Sequence, residues 1–257
     1  AGVQVDASSK VRRKVIHYVR HGESTSNAAQ EAALKQAGLD HSTSDPSATD
    51  AASKTRQIMY AVMNDPAHFD TGLSWKGQAQ ATQLAREGEA RGRPSCDRVE
   101  LIIASSLSRA VHTAALVFPR EEGYPRPILC LDDLREFAGP PSSEKRHPAS
   151  EMVPHFVKTM GVDPSDVDVG LVEEEDTLWR PAEEPGKSAF ARADRALACL
   201  MQRPEHVIAC VGHTSFLRQC MLGRRNKSVV VEADSEDDRA KLWSPFDNCE
   251  VRSVEMW

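Results

Sequence analysis

Several devices that commonly reveal a function are missing from this chain. Its six cysteines (Cys96, Cys130, Cys199, Cys210, Cys220 and Cys249) include no Cys-x-x-Cys pair, so neither a zinc knuckle nor a thioredoxin-like redox pair is expected. Cys130, Cys199 and Cys210 lie in apolar runs, where a thiol serves as a small hydrophobe. The thiols are therefore read as reduced and the compartment as cytoplasmic. A phosphate-binding Gly-x-x-x-x-Gly-Lys loop is absent, and so is a metalloprotease His-Glu-x-x-His. Positive charge is not in excess: 32 Lys and Arg face 38 Asp and Glu, for a net charge of −6. That excludes a general nucleic-acid binder, and an anionic ligand would need a local basic pocket. No stretch is apolar for long enough to span a bilayer, and the start shows no apolar leader core, so no membrane partner is expected. Internal repeats and low-complexity tracts are also lacking. Asn226-Lys227-Ser228 fits a glycosylation sequon, read here as a chance match.

What is present is an alternation of strand and helix signals. Hydrophobic residues make up 40% of 257 positions, enough for a real core. The run Val15–Val19 reads as a buried strand, broken at Gly22, with a helix over Ser24–Ala37 stopped by Gly38. Ala51–Asn64 repeats its apolar residues at helical spacing, and Ser74 caps a further helix to about Ala90. Gly77 inside that helix costs on the order of 1 kcal/mol, a price that close packing against the sheet would explain. Leu101–Ala104 is a strand, with Ser105 capping the helix Leu107–Phe118. A turn and strand over Pro125–Leu131, a loop over 139–148, a helix Met152–Met160 and an acidic loop at Glu173–Asp176 follow. Ser188–Arg203 is amphipathic, His206–Val211 is a strand, Thr214–Leu222 a helix, Asp234–Asp238 a charged loop and Cys249–Glu255 a last strand. The pattern predicts a single α/β domain over 1–257, a three-layer sandwich with a mostly parallel central sheet flanked by helices. The long segments 38–72 and 132–186 are read as lid-like insertions over the active edge.

Ligands of such sheets sit off the carboxyl ends of the strands. Arg20 and His21 fall at the first of these ends. A guanidinium forks onto phosphate oxygens, and a neutral imidazole nitrogen can attack phosphorus; a basic pair on a surface turn is the bland alternative. His17 and His21 would be good metal ligands on a helix, but a strand separates them by roughly 13 Å, so no catalytic metal is expected.

The segment Arg20-His21-Gly22-Glu23-Ser24, followed by Asn27, resembles the opening motif of the histidine phosphatase superfamily, which contains the cofactor-dependent phosphoglycerate mutases. Further matches follow in order. Leu73-Ser74 with Gly77 resembles a helix start of that family, and Ser105 to Thr113 resembles its S-x-x-x-R-A-x-x-T segment. Leu134-Arg135-Glu136 resembles its acidic segment, and Val211-Gly212-His213-Thr214 its C-terminal Gly-His segment.

The resemblance implies the phosphoglycerate-mutase-like fold and a phosphohistidine intermediate on His21. Arg20, Arg109, His213 (as imidazolium), Asn27 and Thr214 would hold the phosphoryl oxygens, and Glu136 would be the general acid, with Glu23 and Asp133 as rivals. A carboxyl beside a phosphate is expected to have a raised pKa. Lys145 and Arg146 would hold a second anionic group or form a solvated loop pair; the acidic run would be a solvated loop or a shield against polyanions. Ser24, where acid phosphatases and phytases carry Arg, together with His213-Thr214, is similar to the mutase-like branch. The sequence Glu136-Phe137-Ala138-Gly139-Pro140 departs from the true mutases, and the 134–150 and 174–179 stretches resemble a little-characterised mutase-like subgroup of plants and fungi.

The leading expectation is thus a metal-independent phosphomonoesterase acting without a cofactor on a small phosphorylated substrate or a phosphoprotein. A phosphoglycerate mutase using 2,3-bisphosphoglycerate and a non-catalytic phosphate-binding module are the alternatives. Substrate and oligomeric state are left open.

Overall fold

The apolar run Val15–Val19 lies within β1 (Lys14–Arg20), which is covered on both edges. The computed structural model describes residues 13–40, 49–90, 99–125, 127–139, 141–227, 229–230 and 232–257. Most of the polar and basic stretch 1–13, which reads as a loose lead-in, most of His41–Thr49, whose Ser, Thr, Asp and Pro read as a loop, the break that Gly92-Arg93-Pro94 suggests, Cys96 and Ser228 of the sequon lie outside these residues.

Along the chain, β1 leads to α1 (Thr25–Gln36), α2 (Thr49–Asn64) and α3 (Trp75–Ala90). Then come β2 (Leu101–Ser105), α4 (Ser108–Val117), β3 (Ile128–Leu131), α5 (Ala149–Met160) and the short β4 (Val167–Asp168). The chain continues through α6 (Gly186–Gln202), β5 (Val207–Gly212), a single turn α7 (Thr214–Phe216), α8 (Glu236–Trp243) and β6 (Val251–Met256). Among the described residues six strands form one sheet in the order β4-β3-β2-β5-β1-β6, parallel throughout except for β6, which runs antiparallel to β1.

Alternation along the strands builds the three layers. Val19, Ile102, Ala104, Ala209 and Val211 face a core shared with α3, α4 and α5. Ile16, Tyr18, Ile103, Ile208 and Cys210 face the opposite way, onto α6 and Phe216. Each valine and isoleucine among these, fully buried, contributes about 1.5–3 kcal/mol, and each alanine less. The sandwich expected from the alternating pattern is therefore the fold observed.

Four local expectations need correction. Asp234–Asp238 is not a charged loop: Glu236, Asp237 and Asp238 open α8 behind the cap Ser235, where acidic residues suit the helix dipole. Thr214–Leu222 is helical but not uniformly α; after α7 it continues as a π-helix over Leu217–Met221. Ser105 does not cap α4; Leu107 holds that position, and Asp70 Oδ1 accepts the Ser108 N–H at 2.8 Å. The close packing that tolerates Gly77 is against the loop after β1, not the sheet itself. A β-carbon on Gly77 would lie 2.0 Å from the Glu23 carbonyl oxygen, and one on Gly22 would lie 2.7 Å from that of Gly77.

Five cysteines among the described residues are free thiols. No helix among these residues is long and apolar enough to cross a membrane.

Candidate active site

Three parallel strands, β1, β2 and β5, end side by side and deliver Arg20-His21, Ser105 and His213 to one rim of the sheet. Behind β1 the chain is held by the tail: Cys249 N–H donates to the Arg20 carbonyl (3.1 Å), and Asn248 Nδ2 to that of His21 (3.0 Å). His21 N–H donates to the Gly212 carbonyl at 3.0 Å, which ties the two histidine-bearing strand ends together. The imidazoles of His21 and His213 lie 5.0 Å apart, centroid to centroid. They share a cavity of about 270 Å³ with Arg20, Asn27, Arg109, Glu136, Glu144 and Thr214.

His21 is buried, and its Nδ1 lies 2.7 Å from the Gly22 carbonyl oxygen. A carbonyl only accepts, so the proton sits on Nδ1 and Nε2 keeps its lone pair. Burial, together with the charges of Arg109 and Arg20, holds His21 well below the usual histidine pKa. His213 is fully buried, with Nε2 2.9 Å from Ser105 Oγ and Nδ1 without a partner. Its pKa is also held well below the ordinary value, by burial first and then by Arg109 and His21. These effects oppose the imidazolium expected at His213.

Arg20 donates from Nη1 to the Phe246 carbonyl at 2.6 Å, while its buried Nε has no partner. Arg109 enters from the first turn of α4, where Thr113 Oγ1 links its carbonyl (2.7 Å) to the Gly22 N–H (3.0 Å). Its guanidinium is buried and donates to the Ser143 carbonyl at 2.9 Å and to Glu144 Oε2 at 2.7 Å. Asn27 closes a capping box with Ser24 at the start of α1: its Oδ1 accepts the Ser24 N–H at 3.2 Å, which leaves its amide nitrogen as the donor on the cavity wall. Thr214 Oγ1 accepts the Phe246 N–H at 2.9 Å.

The three carboxylates weighed as general acid are separated by their surroundings. Glu23 is paired with Lys76 at 2.7 Å, and although burial opposes it, Lys76 and Ser74 hold its pKa below the usual range. Asp133 is paired with Arg195 at 2.6 Å, and neither Asp133 nor Glu23 lines the cavity. Glu136 does line it, accepting the Phe137 N–H at 3.0 Å and the Ser215 N–H at 3.1 Å. Its pKa is raised by burial and then by the negative charge of Glu144. The neighbouring charge expected from a phosphate is thus already present in a protein side chain.

Neither Lys145 nor Arg146 is among the residues lining this cavity, and the solvated reading of the pair fails for Arg146. Arg146 is buried and forks onto Asp132 at 2.9 Å; its guanidinium also donates to the carbonyls of Glu173 and Glu175 at 2.7 and 3.0 Å. Lys145 Nζ stands 4.7 Å over the Trp179 ring. The acidic run is more than a solvated loop at its last residue, because the Asp176 carboxylate, with its side chain 4% exposed, pairs with Arg135 at 2.6 Å. Sequence reasoning missed Glu144, whose motif-free setting offers no spacing signal, and the buried Arg192. That guanidinium pairs with Glu184 at 2.6 Å and donates to the Arg135 and Glu136 carbonyls, fixing the Glu136 segment.

Comparison with known proteins extends this geometry. Residues 65–228 match the family model described as the histidine phosphatase superfamily (branch 1), a span that holds Arg109, Glu136 and His213. A phosphoglycerate mutase-like protein of Arabidopsis thaliana is 27% identical over 262 residues, covering 95% of this chain and 84% of that one. Phosphoglycerate mutase-like protein 1 of the same plant is 29% identical over 209 residues, covering 73% and 70%. The crystal structure of the ecdysone phosphate phosphatase from Bombix mori in complex with tungstate superposes with a TM-score of 0.54 at 14% identity, covering 93% of this chain and 88% of that one. That likeness is one of fold.

Proposed function

This chain belongs to the histidine phosphatase superfamily, branch 1, and from that premise we propose that it is a phosphomonoesterase working through a phosphohistidine on His21. The observation that carries the proposal is the bond of His21 Nδ1 to the Gly22 carbonyl, inside a cavity that also holds two arginines, a second histidine and a carboxyl. It leaves Nε2 unprotonated and aimed by a fixed ring, as a nucleophile must be.

In the first step Nε2 attacks phosphorus. The N–P bond forms as the P–O bond to the alcohol breaks, and protonated Glu136 gives its proton to the departing alkoxide. In the second step water loses a proton to the Glu136 carboxylate as its oxygen attacks phosphorus; the N–P bond breaks, releasing phosphate and neutral His21. Arg20 and Arg109 neutralise the non-bridging oxygens, the main demand of phosphoryl transfer. In the tautomer whose Nε2 accepts the Ser105 hydroxyl at 2.9 Å, His213 carries its proton on Nδ1 as a further donor. A bound dianion would favour its protonation, reversing the effect of burial.

The adjoining cavity, about 450 Å³, supports a choice of alcohol. Tyr60, Met63, Phe137 and Pro141 line it together with Glu144 and Glu183, and Arg225 is the basic residue among those lining it. Such a wall suits an apolar or cationic alcohol and repels a second phosphate or a carboxylate. That supports the phosphatase reading over a phosphoglycerate mutase using 2,3-bisphosphoglycerate. The test is hydrolysis of an aryl phosphate by the wild type and by His21→Ala. Turnover lost in the variant supports the mechanism; equal turnover removes it.

A further inference from the structure

Outside the phosphate cavity, Asp70, His147 and His155 come together from three separate segments, one ligand atom from each lying within 4.8 Å of the others. Asp70 comes from the turn before α3, His147 from the segment before α5, and His155 from within α5. Asp70 is buried at 1% exposure. Its Oδ1 is used by the Ser108 N–H, but its Oδ2 is buried with no hydrogen-bond partner. His147 Nε2 is likewise buried without a partner, while its Nδ1 faces Glu151 Oε2 at 3.7 Å. The two imidazoles lie with centroids 4.1 Å apart and planes tilted by 32°. A buried carboxylate oxygen with no donor is expensive to leave unsatisfied, and a cation supplies what it lacks.

We propose that Asp70 Oδ2, His147 Nε2 and a ring nitrogen of His155 form a binding site for a divalent transition metal, zinc by its ligand type. Two neutral imidazoles and one carboxylate are a donor set that zinc accepts at bond lengths of about 2.0–2.2 Å, with a fourth position left for water. Tetrahedral bonds of that length put ligand atoms about 3.3 Å apart, so from separations of 4.8 Å or less metal entry closes any pair by about 1.5 Å at most. Glu151 Oε2, 3.7 Å from the other ring nitrogen of His147, would have to move closer to serve as the outer carboxylate that commonly fixes the tautomer of a ligating histidine. The ion is structural with respect to the proposed chemistry. It ties α5 to the turn that receives the Ser108 N–H, at the start of the helix carrying Arg109.

The test is metal retention, which does not depend on turnover. The full chain is incubated with zinc chloride, desalted and analysed for bound metal; a cobalt-loaded sample is examined for the intense visible bands of a tetrahedral site. The wild type should keep one zinc per chain, and at zinc a hundredfold above Kd its Tm should rise by about 5–10 °C. Asp70→Asn, which keeps an acceptor for the Ser108 N–H, and His155→Gln should both lose the zinc and the Tm rise. His21→Ala should keep both, which separates this site from the two histidines of the phosphate cavity. A wild type that retains no zinc overturns the proposal. So does retention unchanged in folded Asp70→Asn and His155→Gln, or retention lost in His21→Ala.

Discussion

Gly77→Ala tests how the nucleophile loop is held. In an open helix the change would stabilise by about 0.8–1.0 kcal/mol, because alanine has the higher helix propensity. Here the added β-carbon would stand 2.0 Å from the Glu23 carbonyl oxygen, a backbone atom that cannot swing aside. Real β-carbons keep at least 3.0 Å from such atoms, so the loop or the helix must give about 1 Å. That oxygen accepts the Ser74 N–H at 2.9 Å, and the Glu23 side chain accepts the Ser74 hydroxyl at 2.6 Å and the Lys76 ammonium at 2.7 Å. Moving it strains all three bonds and displaces Gly22 and His21, its chain neighbours. Overpacking costs about 1–3 kcal/mol in typical cores, and a backbone clash falls at the upper end, outweighing the propensity gain. We expect a net loss of about 1–2 kcal/mol, seen as a Tm lowered by about 2–8 °C in thermal denaturation. Turnover of an aryl phosphate should fall more steeply, on the order of 100-fold, because a 1 Å misplacement of a reacting group costs that much. An alanine variant as stable and as active as the wild type would refute the reasoning.

Three further outcomes follow from the same coordinates. Glu136 must be protonated to act as an acid, so kcat/KM should fall as pH rises through its raised pKa; Glu144→Gln removes a charge that raises it and should move that limb to lower pH in a pH–rate profile. His21 and His213 have pKa values depressed by folding, so the unfolded chain binds more protons below about 6.5, and urea denaturation should show stability complete above that pH and declining as pH falls. Arg146→Ala leaves Asp132 and the carbonyls of the 173–175 loop without their buried partner, and should cost about 3–5 kcal/mol in the same denaturation experiment.

Much of the fold and of the site was legible because both rest on strong local signals. Val15–Val19, Leu101–Ala104 and Val207–Val211 are short, largely apolar runs that suit a sheet covered on both faces, and each is followed within two residues by a polar side chain at its carboxyl end. That regularity carried Arg20, His21 and His213 to one rim, and the helix after the second run carried Arg109. What was illegible depends on long-range pairing. Nothing in Ser143-Glu144-Lys145-Arg146 distinguishes a buried glutamate on Arg109 from a solvated one, and Arg146 is buried only because Asp132 and the 173–175 carbonyls surround it. The charge state of His213 was not legible because burial, which opposes its protonation, depends on the whole fold. The Gly77 contact was half legible: the sequence shows that something must approach the helix, but only the packing identifies it as Glu23.

The central claim is that phosphorus becomes bonded to His21. The most direct measurement is rapid acid-free quenching of the protein during turnover of an aryl phosphate, followed by peptide mass spectrometry. The account predicts a phosphoryl group on the peptide containing His21, stable in base and lost in acid as a phosphoramidate is, and absent from His21→Ala. A protein that turns over substrate in a burst-free time course, with no phosphorylated His21 peptide, or with the label on another residue, would contradict it.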